Sequence, residues 1–101
     1  MNTYDGIIEV SNIDDNEKNC LMSDFKNFVF PNRTMTLTDN IVKVSGRMDG
    51  KDFGEKLEFF YRNWGDMLNS LFVREFVLGN KDSQVQYFIE DSALVFRNVF
   101  T

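Results

Sequence analysis

The stretch 53–72, FGEKLEFFYRNWGDMLNSLF, decides how this chain is read. At 100° per residue, Leu57, Phe60, Tyr61, Trp64, Leu68 and Leu71 fall within one arc, the mark of a helix lying on a core. Glu58, Arg62 and Asp66 lie on the other side as i, i+4 charge pairs. Gly65 costs such a helix about 1 kcal/mol relative to Ala, which the packing face absorbs. The spacing therefore predicts a helix over 53–72. Phe59 stands about 200° from Leu57 by the same count, away from the apolar face.

A second helix signal lies upstream. Asp14 and Glu17 stand three apart, a capping box with Asp in place of Ser or Thr. Leu21, Met22, Phe25, Phe28 and Val29 follow on one helical face. Pro31, the only proline, is expected to end this helix, because the residue before a proline is pushed out of the α region.

Strand patterns fill the rest. Residues 4–10 read as a first strand. Between the two helix signals, 33–38 and 41–48 alternate around Asp39-Asn40. Thr34, Thr36 and Thr38 oppose Met35 and Leu37; Lys43, Ser45 and Arg47 oppose Val42, Val44 and Met48. That is a β-hairpin with one wet face. Residues 84–90 and 93–100 form a second hairpin around Asp91-Ser92, and 73–78 fits either a strand or a prolonged helix. The order is β-α-β-β-α-β with one or two further strands. This is an α+β fold, a mainly antiparallel sheet with two helices on one face, compatible with a ferredoxin-like arrangement. The 101 residues fit one domain, 1–101.

The C-terminal hairpin departs from clean alternation. Val85, Tyr87 and Ile89 oppose Phe88, and Leu94, Phe96 and Phe100 oppose Val95 and Val99, so both faces are apolar. Either the hairpin is central and covered on both sides, or one face meets another chain.

Composition removes much chemistry. There is no histidine and a single cysteine, Cys20. His-based triads, His general bases, His-bearing metal sites and an internal disulfide are excluded. Cys20, beside Leu21 and Met22, reads as a small buried hydrophobe, and a lone cysteine fits a reducing compartment. The start, Met1 to Asp5, has neither the charge nor the apolar run of a signal peptide, and no stretch approaches the ~20 apolar residues of a membrane span. A cytoplasmic location is expected, with no membrane contact.

Net charge is −5. Acids concentrate near the start: Asp5, Glu9, Asp14, Asp15, Glu17 and Asp24 against Lys18 and Lys26 in residues 1–30. Arg33, Lys43, Arg47 and Lys51 make a modest basic strip, but the strand 41–48 presents no aromatic on which a base could stack. No direct nucleic-acid contact is expected.

Acidic metal sites are the next test. Asn12-x-Asp14-x-Asn16 has the alternating oxygens of a calcium loop but lacks its glycine, and Ser23 stands where the closing Glu should be. Asp49, Asp52 and Glu55 flank the start of the second helix, where the helix dipole favours acids in any case. No phosphate-binding glycine loop occurs. No cofactor, metal or catalytic residue is expected.

What remains is a small acidic, non-enzymatic protein-binding domain that acts by occupying a partner's surface. Its composition is that of small inhibitor, immunity and anti-defence proteins, phage-encoded anti-CRISPR and anti-restriction proteins among them, an analogy of composition alone. The residues expected to bind are Asp14, Asp15, Glu17, Phe59, Phe88, Phe96 and Val99. A basic nucleic-acid-handling protein would suit the acids, which could imitate phosphates. Two alternatives stand beside this reading. One is a homodimer or larger self-assembly whose C-terminal strands pair across a two-fold axis. The other is a small-ligand-binding α+β domain built on Tyr61, Arg62 and Trp64.

Overall fold

A computed structural model of the chain describes residues 1–29 and 34–100. Its elements in chain order are β1 (Asn2–Val10), α1 (Asp15–Asp24), β2 (Thr34–Thr38), β3 (Ile41–Met48), α2 (Phe53–Trp64), β4 (Leu68–Phe76), β5 (Ser83–Glu90) and β6 (Ala93–Phe100). The strands form one sheet in the order β2-β3-β1-β4-β5-β6, antiparallel throughout. Strand β1 lies between β3 and β4, with β2 outside β3. This strand order is compatible with a ferredoxin-like arrangement, which β5 and β6 extend past β4. The expected α+β class, with an antiparallel sheet and helices on one face, is what the chain adopts.

Alternation decides which face the helices cover. Tyr4, Ile8 and Val10 of β1, Val42, Val44 and Met48 of β3, and Leu71 and Val73 of β4 are buried together with Leu21, Phe25, Phe53, Leu57 and Phe60 from the helical segments. Rings lock the layers: Phe25 meets Phe60 edge-on at 5.0 Å between centroids, and Tyr4 meets Phe53 at 4.5 Å. Each such side chain contributes about 1.5–3 kcal/mol by leaving water.

Helix α1 starts as its sequence requires: Asp14 Oδ1 accepts the Glu17 backbone N–H at 2.8 Å. It then passes into a π-helical turn over Phe25–Val29. Leu21, Phe25 and Val29, four apart, point inward, whereas Phe28 is 53% exposed. A π turn bonds i to i+5 and advances less per residue, which carries Phe28 off the face that a regular helix would give it. Cys20 is exposed rather than buried, because the inward stripe passes through its neighbour Leu21. The expected proline stop at Pro31, and Arg33 of the basic strip, lie outside the described residues.

The helix expected over 53–72 ends at Trp64. Gly65–Met67 form one 3₁₀ turn, and 68–72 open strand β4. Strand β4 pairs with β1 at the centre of the sheet, and that ladder outweighs the local helical period. Leu68 and Leu71 are both buried, and a spacing of three looks helical. Here a bulge between Glu9 and Val10 shifts the register, so Leu68 faces Val10 while Leu71 faces Ile8. The ambiguous stretch 73–78 divides into strand through Phe76 and a 3₁₀ turn over Val77–Gly79.

Candidate functional site

Strands β5 and β6 run past the helix layer, and a groove opens there. The first turn of α2 reaches Tyr87 of β5: the Phe53 and Tyr87 rings stand 5.3 Å apart, edge-on. A Cβ on Gly54 would make ordinary contact with the Tyr87 ring at 3.5 Å, so the start of α2 lies directly against this floor. Phe96 is the register partner of Tyr87 on β6, with ring centroids 6.2 Å apart, and is 67% exposed. The groove, about 460 Å³, has a floor of Val85, Tyr87, Leu94 and Phe96 and a wall carrying Glu55 and Glu58. Glu58 pairs with Arg62 at 2.8 Å, and Glu55 is exposed.

A polar cluster is buried beside that floor. Glu75 of β4 is buried, and its carboxylate accepts from the Tyr4 hydroxyl, from Asn2 Nδ2 at 3.1 Å and from the Tyr87 hydroxyl at 3.2 Å. The loop between β3 and α2 passes close by: a Cβ on Gly50 would come within 2.9 Å of both Glu75 Oε2 and the Tyr4 hydroxyl. Burial first, then the hydrogen bond and charge of Glu75, push the Tyr4 pKa well above the ordinary tyrosine value. Burial and the Glu75 charge do the same to Tyr87. Both hydroxyls are therefore fixed as protonated donors, and the cluster ties β1, β4 and β5 together.

Among the described residues, no helix lies on the opposite face of the sheet. Ile7, Phe72, Phe88 and Val95 stand in register across β1, β4, β5 and β6. Ile7 is 47% and Phe72 41% exposed, and both line a shallow concavity of about 670 Å³. One row further along lie Asp5, Arg74, Gln86 and Arg97. Arg74 grips Asp5 with both ends of its fork, at 2.7 and 2.6 Å, and this pairing raises the guanidinium pKa above its ordinary value. Arg97 donates to Gln86 Oε1 at 2.6 Å and lies over the Phe88 ring at 5.2 Å. Arg74 covers Phe76 in the same way.

Set beside known proteins, the chain matches no family model, no curated protein and no solved structure.

The geometry distributes the expected binding residues over separate surfaces. Asp14, Asp15 and Glu17 stand at the start of α1, where Asp14 is committed to the cap and Asp15 is exposed. Phe59 is on the outer side of α2, 54% exposed, against Phe28 at 6.2 Å. Phe96 lies in the groove, while Phe88 and Val99 share the helix-free face. Tyr61, Arg62 and Trp64 do not converge: Arg62 turns to Glu58, and Trp64 Nε1 donates to Asp24 Oδ2 at 2.9 Å. Asp49 Oδ1 accepts the Lys51 N–H at 3.0 Å, and among the described residues no three Cys, Asp or Glu gather as ion ligands. Among those residues, too, no helix is long and apolar enough to cross a membrane.

Sequence reasoning missed Ile7, Phe72, Arg74 and Glu75. Phe72, Arg74 and Phe76 alternate against Leu71, Val73 and Glu75, a signal hidden by reading 68–72 as helix. Nothing local announces the Glu75 cluster, because only sheet register joins residues 2, 4, 75 and 87.

Proposed function

We propose that this chain is a non-enzymatic protein-binding domain of the inhibitor, immunity or anti-defence type, working in a reducing cytoplasmic setting and docking a basic segment of a partner in the groove between α2 and the β5–β6 hairpin. The carrying observation is Phe96, a large ring 67% exposed at the mouth of an apolar floor with carboxylates on its wall. An aromatic anchor surrounded by a charged rim is the usual anatomy of a binding hot spot. Glu55 and Glu58 favour a lysine or arginine beside the partner's apolar anchor. The missing histidine supports the non-enzymatic reading, and the free Cys20 fits the reducing setting. Asp15 and Glu17 add acid at the α1 end, whereas Asp14 is engaged in the cap.

The test is capture from host lysate with wild type, Phe96→Lys and Glu55→Lys, at low and high salt. A stoichiometric partner lost with Phe96→Lys, and weakened by Glu55→Lys and by salt, is expected. Capture indifferent to both substitutions would sink the groove. A second reading, a self-assembling subunit, is favoured by the helix-free face of the sheet.

A further inference from the structure

We infer that the helix-free face of the sheet is a homodimer interface, packed face to face on a second copy of this chain about a two-fold axis running along the row Ile7–Phe72–Phe88–Val95. The inference is independent of partner docking in the groove.

Four rows of side chains cross this face, Thr3, Phe76, Gln84 and Val99 making the outermost. The middle one of the other three is the apolar row. About 7 Å away on one side, two residues along each strand, lie Arg74, Gln86 and Arg97 with Asp5. On the other side, two residues along their strands from Ile7 and Phe88, stand Glu9, paired with Ser70, and Glu90, paired with Ala93. Asp5 and Arg74 neutralise each other, so Arg97 gives one flank its net positive charge, and the other flank is acidic.

An axis along the middle row superposes each strand on the same strand of the copy, reversed. The apolar row then meets itself, and the two flanks exchange. Glu90 comes to lie above Gln86 of the copy, beside Arg97 of the copy, the register partner of Gln86. Sheets stacked about 10 Å apart bring such long side chains within reach of one another. The face is large enough. Reversed about this row, the six strands overlap over five to nine residues each, roughly 600 Å² per partner at about 3.4 Å per residue and about 4.8 Å between strands, the lower end of a standard interface.

Other occupants fit less well. A single-stranded nucleic acid needs bare rings in series. Arginines already cover Phe76 and Phe88 at 5.2 Å, and the flank of Glu9 and Glu90 repels phosphate. The apolar row is bounded at β3 by Lys43, which meets its own copy across this axis. Its long stem lets the ammonium swing to the rim, but the like charges oppose association. Lys43→Met should therefore tighten the dimer, whereas it would weaken docking of an acidic partner.

The experiment is sedimentation equilibrium of the full chain from about 1 μM to about 1 mM. A dimer is expected. Phe72→Lys and, independently, Ile7→Lys should give monomers whose circular dichroism is unchanged, since both side chains are substantially exposed. Glu90→Arg and Arg97→Glu should each weaken dimerisation several-fold, the pair together should restore it, and Lys43→Met should strengthen it. Four results overturn the inference. They are a monomer throughout the range, a dimer indifferent to Phe72→Lys and Ile7→Lys, swaps that fail to rescue each other, and a labelled oligo-dT that binds wild type but not Phe72→Lys.

Discussion

The two hairpins at the edges of this sheet are built alike and behave differently. β2–β3 turns through Asp39-Asn40 and β5–β6 through Asp91-Ser92. In the first, Val42, Val44 and Met48 are buried under the helices while Lys43, Ser45 and Arg47 face water. In the second, Tyr87 is buried, Val85, Ile89 and Leu94 are half-buried, and Phe96 stands out in solvent. The difference is position relative to the helix layer. Polar alternation marks a strand covered on one side; apolar residues on both sides mark one that the chain's own helices do not finish covering.

Placing a charge in each hairpin is the most severe test of that comparison. Val42→Asp should cost several kcal/mol, enough to unfold a domain whose total stability is about 5–15 kcal/mol. Phe96→Asp should cost no more than about 1 kcal/mol. Thermal melts of the two variants measure this, and similar losses would mean that β6 is as deeply packed as β3.

The Glu75 cluster fastens β5 to β4 and β1. Glu75→Ala should cost about 2–3 kcal/mol in urea denaturation, because the Tyr4 and Tyr87 hydroxyls lose a buried partner. The same cluster sets an alkaline limit. Folding holds both tyrosines protonated, so their contribution is complete below the ordinary tyrosine value of about 10. Above it the unfolded chain loses protons that the folded one keeps. Stability should then fall by up to about 1.4 kcal/mol per pH unit for each tyrosine. Urea midpoints should be level from about pH 7 to 9 and decline beyond pH 10. Tyr4→Phe should remove part of that decline, and an unchanged slope would mean Tyr4 ionises as freely folded as unfolded.

The smallest expected effect concerns the acids. Asp14→Ala should cost about 1 kcal/mol through the lost α1 cap. Asp15→Asn should leave the melting temperature within error. If Asp14→Ala is equally silent, the cap contributes nothing and all three acids become free for a partner.

Much of the fold was legible where one local signal acted alone. The Asp14 cap, the clean alternation of 41–48 and the paired apolar runs of 84–90 and 93–100 all became the elements they announced. The failures came where two signals competed. Leu68 and Leu71 suit a helical face as well as a bulged strand, and Phe28 sits where a π turn replaces the regular helical advance. The candidate site was legible only in its residue types. The aromatic excess at Phe88, Phe96 and Val99 was visible, but not that the groove takes Phe96 while the opposite face takes Phe88 and Val99.

By itself the sequence determined the α+β class and a C-terminal hairpin apolar on both faces, which rest on local periodicity, and the absence of histidine chemistry, which rests on composition. Tertiary structure alone decided the end of α2 at Trp64, the meeting of Asn2, Tyr4, Glu75 and Tyr87 around one carboxylate, and the alignment of Ile7, Phe72, Phe88 and Val95 in one row. These depend on strand order and register, which are set by which long-range backbone ladders form together, and no local window of sequence contains that information.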